Sequence, residues 1–300
     1  MKLIAFSLEE ALASEQALRP NLLCIQQELL PWEVTITLRD RAVNLLRFLK
    51  IWFDVPHTVF YNAATYLDLF LSRIRVKPRY LNCLTLACFF CAAEKADIPI
   101  DVTQLVTVSQ HNCSIQDMIR MTELVKNKLY LRSNFNSPMT TCEDFLNLFL
   151  KILDYVSTRW EGKLHSSELL NPAKLLTRLE VLITSSSCAF FSSSTLVLAL
   201  LKLELEKYLS QALFTRSMYF VGQLIQFLSV IFELQTRCNI KTEDFAQCLE
   251  NAFYVMEEYD TQNRKKVKNL TGHNTTHVDK GNSRYHQTLD TIEEKHQKRL

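Results

Sequence analysis

Glycine is nearly absent from the first 258 residues of this chain, where only Gly162 and Gly222 occur. A protein built of β-strands needs glycine at many of its tight turns, because several hairpin turns require positive φ angles. Apolar residues make up 48% of the 300 residues, which is enough to form large cores. The sequence therefore predicts an all-α protein whose helices are joined mostly by short connections.

Apolar residues in the first half recur at three- and four-residue steps, the spacing of one face of a helix. This periodicity predicts five helices, near residues 36–53, 58–74, 78–95, 101–109 and 114–129. The third carries no charge between Leu81 and Ala93, so it is predicted to be central and buried on most sides. Ser7 and Glu10 have the spacing of a capping box and predict that an additional, earlier helix begins at Ser7.

The second half has a similar succession of apolar helical segments, but the two halves share no obvious residue identity. It predicts helices near residues 141–157, 173–186, 194–210, 217–234 and 242–259. Residues 181–201 are uncharged but include six Ser and two Thr, so we interpret them as two buried helices with a serine-rich corner and not as a membrane span. From residue 260 the composition becomes polar, and residues 260–300 are predicted to form a flexible tail.

Charge and cysteine content exclude several classes of function. The formal net charge of the chain is only +2, and the basic excess lies in residues 259–300, so we expect no nucleic-acid partner for the folded part. Nine scattered cysteines without a secretory signal predict free thiols in a reducing compartment and no membrane association. Cys88 and Cys91 have metal-ligand spacing, but they lie on the apolar helix and are interpreted as core residues.

Sequence motifs of enzymes are also missing. The chain has no phosphate-binding glycine loop, no His-Glu-x-x-His and no Gly-x-Ser-x-Gly. We therefore expect no catalytic residues, no cofactor and no metal, and the sequence favours a protein that acts by binding other proteins.

Four stretches of the first half resemble the cyclin box: Leu38-Arg39-Asp40-Arg41-Ala42-Val43-Asn44-Leu45-Leu46, Tyr66-Leu67-Asp68-Leu69-Phe70-Leu71, Cys88-Phe89-Phe90-Cys91-Ala92-Ala93 and Ile119-Arg120-Met121. Their order and separations are similar to those of the cyclin family. The Leu-Arg-Asp opening and the Cys-Phe-Phe stretch look most like cyclin G and cyclin I. The resemblance implies two tandem cyclin-like five-helix lobes, with an N-terminal helical segment at 1–37, a cyclin box at 38–132, a second, divergent lobe at 136–259 and the tail at 260–300.

The resemblance implies two groups of site residues in the first lobe. Arg39 and Asp68 match an internal ion pair of the family, which ties the first helix of the box to the second. Cyclins present a Lys at one position and a Glu at another to a cyclin-dependent kinase. In this chain other residues occupy these two positions, and the Lys and the Glu each follow one position later. One residue turns a side chain by about 100° around a helix, so the kinase contact is expected to be weakened. The residues concerned are Glu94 and Lys95, then Thr122 and Glu123.

The tail contains a short motif formed by Leu289, Ile292 and Glu294. It resembles the Leu-x-x-Ile-x-Glu pattern read by the B-prime regulatory subunits of protein phosphatase 2A, with which cyclin G proteins are associated. Two apolar side chains would fill pockets, and the carboxylate would meet basic residues. A chance match in a passive tail is the alternative, because the same pattern recurs at residues 228–233 inside a predicted helix.

Together these features predict a cyclin G-like regulator of the cell cycle or growth, which binds a cyclin-dependent kinase and recruits protein phosphatase 2A. The cluster at residues 264–268 resembles a nuclear localisation signal, with a solvated linker as the equal alternative, so we expect the protein in nucleus and cytoplasm. Two other functions stay open: a kinase-independent scaffold with a cyclin fold, and a transcription-linked cyclin-fold factor.

Overall fold

The computed structural model describes residues 2–22, 25, 33–109, 113–129, 139–158, 169–214 and 218–271. These residues form helices and their connections and contain no strand, so the prediction of an all-α protein is confirmed. None of the described helices is both long enough and apolar enough to cross a lipid bilayer.

The described residues of the first half form α1 Lys2–Leu18, α2 Ile36–Trp52, α3 His57–Arg73, α4 Pro78–Lys95, α5 Val102–Ser109 and α6 Ile115–Lys128, and the bounds of α2 to α6 are close to those expected. Local chemistry sets several of the starts. The Thr35 hydroxyl accepts from the Leu38 amide at 3.3 Å and caps α2, and the Ser114 hydroxyl caps α6 in the same way. Pro78 occupies the first turn of α4, where its missing N–H costs nothing.

The second half contains α7 Cys142–Ser157, α8 Pro172–Thr184, α9 Ser186–Ala189, α10 Ser193–Phe214, α11 Met218–Arg237 and α12 Thr242–Thr271. The Thr141–Asp144 capping box opens α7. The uncharged stretch 181–201 is divided between α8 and α10 by the short serine-rich α9, as expected from its Ser and Thr content.

Each half has one helix that the others surround. In the first half this is α4, whose residues between Leu81 and Ala93 are almost all buried, and it packs against α2, α3, α5 and α6. In the second half every residue of α10 from Ser194 to Leu201 is buried, and α10 packs against α7, α8, α11 and α12. Neither helix has a polar face, which is why both are central.

Two helix boundaries differ from the sequence predictions. The first helix begins at Lys2 and not at Ser7, because the residues before Ser7 are ordinary helix formers with no breaker, so the capping-box spacing falls inside the helix. The last helix continues to Thr271, so the prediction of a flexible tail from residue 260 is wrong for residues 260–271. The carboxylate of Asp260 binds the guanidinium of Arg178 and lies 3.6 Å from the Lys207 amine, which holds α12 against α8 and α10.

The N-terminal helix joins the second half of the molecule. Helix α1 packs against α7, and the carboxylate of Glu15 accepts from the Ser194 amide at 2.9 Å and from the Ser194 hydroxyl at 2.6 Å. Glu15 therefore caps the first turn of the central helix α10. Arg19 completes the contact by donating to the Phe190 carbonyl at 2.7 Å.

Candidate partner-binding site

A fully buried arginine links the two halves of the molecule. Arg39 donates from Nε and Nη2 to the two carboxylate oxygens of Asp68 at 2.8 and 2.6 Å, and from Nη1 to the Ile183 carbonyl at 2.7 Å. The structure thus brings together the two residues of the expected ion pair. It also gives Arg39 a contact with α8 that the sequence did not indicate, so this pair is a structural element of the junction between the halves.

A second charged cluster lies at the same junction and was missed by the sequence analysis. Glu180 on α8 is 1% exposed, and its carboxylate faces Lys50 at 2.9 Å, His57 at 2.5 Å and Arg47 at 3.6 Å. Burial opposes the charge of Glu180, but the bond from His57 and the attraction of Lys50 outweigh it, so its pKa lies below the usual value. No spacing rule connects residues so far apart in the chain, and only folding brings them together.

The end of α4 and the outer face of α6 form one continuous surface. The carboxylate of Glu94, which occupies the position of the family's lysine, lies 2.5 Å from the Lys126 amine on α6. Glu94 is exposed and Lys126 is half-buried, and the pair joins the two helices. An acid with a basic neighbour therefore stands where cyclins are expected to present a lysine.

Lys95 does not join this pair. Its amine lies 6.0 Å from the centre of the Tyr66 ring on α3, within cation–π range. Burial lowers the pKa of Lys95, and the opposing attraction of Asp144 on α7 does not cancel the shift. The side chains of Glu94 and Lys95 thus lie on different sides of α4, because adjacent residues on a helix point in different directions.

On α6 the residue at the family's glutamate position is buried. Thr122 is 5% exposed, and its hydroxyl donates to the Met118 carbonyl at 2.9 Å. The prediction that Thr122 contacts a kinase therefore does not fit its position on the inner face of the helix. Glu123 follows at a half-buried position beside the outer face.

Two isoleucines on α6 complete the outer surface and were also missed. Ile115 and Ile119 are 40% and 51% exposed, whereas Met118 on the same helix is buried. Ile119 and Lys126 are seven residues apart and share one face of the helix. Their spacing gives no sequence signal, because Ile115 lies three and seven residues before the buried Met118 and Thr122, the usual spacing of a buried helix face. We call the group Glu94, Ile115, Ile119, Glu123 and Lys126 the α4–α6 surface.

The two cysteines with metal-ligand spacing lie on the central helix of the first half. Within the described ranges no three His, Cys, Asp or Glu side chains are placed to hold a metal ion. Cys88 and Cys91 are buried inside α4. Leu289, Ile292 and Glu294 lie outside the described residues, and their prediction stands on the sequence alone.

Comparison with known proteins identifies the class. Residues 5–132 match the family described as cyclin, N-terminal domain. The fold is similar to that of the viral cyclin from herpesvirus saimiri, with a TM-score of 0.53 at 15% identity, over 82% of this chain and 99% of that chain. Residues 5–132 are therefore similar in sequence to the N-terminal domain of cyclins, and the fold of the described residues is similar to that of a cyclin. The family match begins within α1, upstream of the boundary predicted at residue 38.

The curated proteins to which the chain is similar include cyclins of the G type. It is 28% identical over 269 residues to cyclin G of Drosophila melanogaster, which covers 87% of this chain and 46% of that protein. It is 32% identical to cyclin-G2 of Mus musculus over 178 residues and to cyclin-G1 of Homo sapiens over 124 residues. These matches cover 56% and 40% of this chain, and 47% and 40% of those proteins, so the chain spans about half the length of these curated relatives or less.

Proposed function

We propose that this chain is a cyclin G-like regulatory protein and not an enzyme, and that it binds a protein kinase of the cyclin-dependent class through the α4–α6 surface. The observation that carries the proposal is the Glu94–Lys126 pair between α4 and α6, with the exposed Ile119 on the same face of α6 as Lys126. An apolar side chain at the centre of a contact excludes water, while charges around it select the partner and speed its approach. Relatedness to cyclins supports a kinase as the partner.

The charges of this surface would also restrict the choice of kinase. Glu94 occupies the position of the family's lysine, so a kinase that carries an acid opposite this position is repelled by it. A kinase with a basic group opposite this position would be attracted by Glu94. Lys126 lies beside Glu94 and would attract an adjacent acidic group of the kinase. Like charges placed together at an interface disfavour wrong partners, so the inverted position would act as a specificity element.

Binding of the full chain to purified cyclin-dependent kinases, measured by calorimetry, tests this proposal. Replacing Ile119 by Arg is expected to weaken binding about tenfold or more, because a charge would enter the apolar centre of the contact. The exchange Glu257→Lys on α12, where the side chain is exposed, is the matched control and should leave affinity unchanged.

The alternative of a kinase-independent scaffold gives a different result in the same assay. The natural chain would bind no kinase, and Glu94→Lys would create binding by restoring the family's charge at that position. The second family-like exchange, Thr122→Glu, is unsuitable for this purpose, because it would bury a carboxylate on the inner face of α6.

We further propose that the tail recruits protein phosphatase 2A through Leu289, Ile292 and Glu294. Support comes from the sequence pattern and from the relation to cyclin G. A peptide of residues 283–300 should bind a purified B-prime subunit with micromolar affinity, and a peptide with Leu289→Ala and Ile292→Ala should not. If the two peptides do not differ in their binding to the B-prime subunit, the tail motif does not recruit the phosphatase.

We propose a distribution between nucleus and cytoplasm on the basis of residues 264–268. Arg264 and Lys265 are exposed on α12, which makes them accessible to a transport receptor. In cells, a fluorescent fusion carrying Arg264→Ala and Lys265→Ala should lose its nuclear fraction. An unchanged distribution would assign the cluster to a solvated helix end.

A further inference from the structure

Helix α11 is apolar on two sides, but the described part of the chain covers only one of them. Residues 218–232 carry no charge, and α11 packs mainly against α10. Phe227 and Ile231 are buried on the inner side, whereas Ile225 and Phe232 on the outer side are 51% and 53% exposed. Because a helix that is apolar all round is normally buried, the outer side of α11 has the composition of a covered surface.

The outer side of α11 is one wall of a groove whose other wall is α10. The Lys202 amine lies 6.0 Å from the centre of the Phe232 ring, so these two positions face the same groove. Leu213 follows Lys202 by about three helical turns and Ile225 precedes Phe232 by about two, so each lies on the same line of its helix. Half-buried leucines lie between them. We define the α10–α11 groove as Leu209, Leu213, Ile225, Leu228 and Phe232.

The groove has the spacing and the charge that suit the outer side of α11 from a second copy of the chain. A helix that docks in an apolar groove presents apolar residues at three-, four- and seven-residue steps, and Ile225 and Phe232 have the seven-residue step. Lys202 and Glu206, the charges along the α10 wall, are paired with each other at 2.6 Å. The α11 wall has no charge up to Phe232, so two such walls meet without repulsion between like charges.

The exposed apolar area agrees with the size of a weak dimer interface. Leu213 is 55% exposed, and Phe214 at the end of α10 is 90% exposed. Together with Ile225 and Phe232 they expose about 450 Å² in each copy, from side-chain areas of roughly 150–250 Å². Two copies thus supply about 900 Å², and contacts at the rim bring the total near the lower limit of about 1,200 Å² for a specific interface. An interface of this size is expected to be reversible.

We propose that the α10–α11 groove is the contact of a weak homodimer with two-fold symmetry. Helix α11 of each copy lies antiparallel in the groove of the other. With Ser229 at the two-fold axis, Ile225 of one copy faces Phe232 of the other, because the two residues lie on either side of Ser229 at similar separations. The symmetry is closed, so no groove stays open for a third copy. The α4–α6 surface takes no part in this contact, and the inference goes beyond the proposed function.

Sedimentation velocity of the full chain in dithiothreitol, at concentrations from about 1 to about 200 μM, tests the proposal. The average sedimentation coefficient is expected to rise with concentration towards that of a dimer. Ile225→Lys and Phe232→Glu should each weaken the association about tenfold or more, because each places a charge against an apolar side chain of the other copy. The matched control is Phe253→Glu, at a phenylalanine of similar exposure on α12, which should leave the association unchanged.

A mixture of the two variants tests the antiparallel arrangement. In a mixed dimer the introduced lysine faces the introduced glutamate, so an equimolar mixture of Ile225→Lys and Phe232→Glu should associate more strongly than either variant alone. Circular dichroism shows whether each variant is folded, and if one is not, the natural chain, the other variant and Phe253→Glu still decide the outcome. The change Ile119→Arg should leave the dimer intact, which separates this contact from kinase binding.

Four results would overturn the proposal. The first is a natural chain that stays monomeric over the whole concentration range, which would mean that another protein or the chain's own tail covers the groove. The second is an association that neither Ile225→Lys nor Phe232→Glu weakens. The third is a mixture that associates no more than its components, and the fourth is the growth of assemblies larger than a dimer.

Discussion

Single buried charges hold the two halves of this protein together. Arg39 and Glu180 are almost completely removed from solvent; Arg39 has partners on both sides of the junction, and Glu180 pairs across it with groups of the first half. Taking a charge out of water is costly unless opposite charges and hydrogen bonds satisfy it, so the positions of these partners are critical. Removing one member leaves the others buried and uncompensated.

The first prediction concerns the carboxylate of Glu180. Glu180→Ala is expected to lower the free energy of unfolding by about 3–5 kcal/mol, because it removes the buried carboxylate that faces the positive groups of Lys50 and Arg47 at the junction. Urea denaturation at neutral pH measures the loss. Glu250→Ala on the exposed face of α12 is the matched control and should change stability by less than about 0.5 kcal/mol.

The pKa of Glu180 gives a second, pH-dependent prediction. Burial raises this pKa, but His57, Lys50 and Arg47 together lower it further, so it lies below the usual value of 4.5. A carboxylate with a lowered pKa in the folded state contributes stability above its unfolded pKa and loses that contribution as pH falls through the folded pKa. The difference in unfolding free energy between the natural chain and Glu180→Gln should therefore shrink as pH falls below about 4.5. A difference that grows as pH falls would contradict this account.

At the scale of helices, contacts between residues distant in sequence fix the helix ends that local sequence signals do not determine. Glu15 on α1 caps the first turn of α10, and Asp260 extends α12 by binding Arg178. Both contacts give hydrogen-bond partners to polar groups inside the protein. The first group lies at a helix terminus and the second on a buried side chain.

The third prediction tests the cap provided by Glu15. Glu15→Ala should destabilise the protein by about 1 kcal/mol and speed hydrogen exchange in the first turn of α10, because the Ser194 amide loses its acceptor. Burial raises the pKa of Glu15 despite the bonds from Ser194, so its charge contributes less than its acceptor oxygen. Glu15→Gln keeps one acceptor and should restore most of the protection, whereas a Gln variant as unprotected as the Ala variant would show that the charge is essential.

For the whole molecule, the shared charges predict that the two halves unfold together. Helices α4 and α10 should show equal protection from hydrogen exchange in the natural chain, because Arg39 and Glu180 couple the cores that surround them.

The fourth prediction removes this coupling. Arg39→Ala leaves the buried carboxylate of Asp68 and the Ile183 carbonyl without their donor, which should cost about 3–5 kcal/mol. Hydrogen-exchange mass spectrometry should then show different protection for α4 and α10. The exchange Arg41→Ala at an exposed site on the same helix is the control and should leave the protection of both helices equal.

The amino-acid sequence by itself determined the helices and the central place of α4. A charge-free stretch such as residues 81–93 favours burial. Thr35 and Ser114 mark helix starts through bonds to near neighbours, and Pro78 marks one through its fixed φ angle and missing N–H. The same local information supported the resemblance to cyclins, since the stretches that carry it lie within single helices. Periodicity and capping work over a few residues and need no tertiary contact.

Only the tertiary structure decided which charges meet. Glu94 pairs with Lys126 on another helix, and Lys95 turns towards Tyr66. The end of α12 was misplaced because its polar composition suggested a tail, whereas Asp260 finds its partner Arg178 eighty-two positions earlier in the chain. Such pairs follow no spacing rule. They exist because the packing of apolar faces brings particular side chains together, and a buried charge is stable only beside a partner of opposite sign.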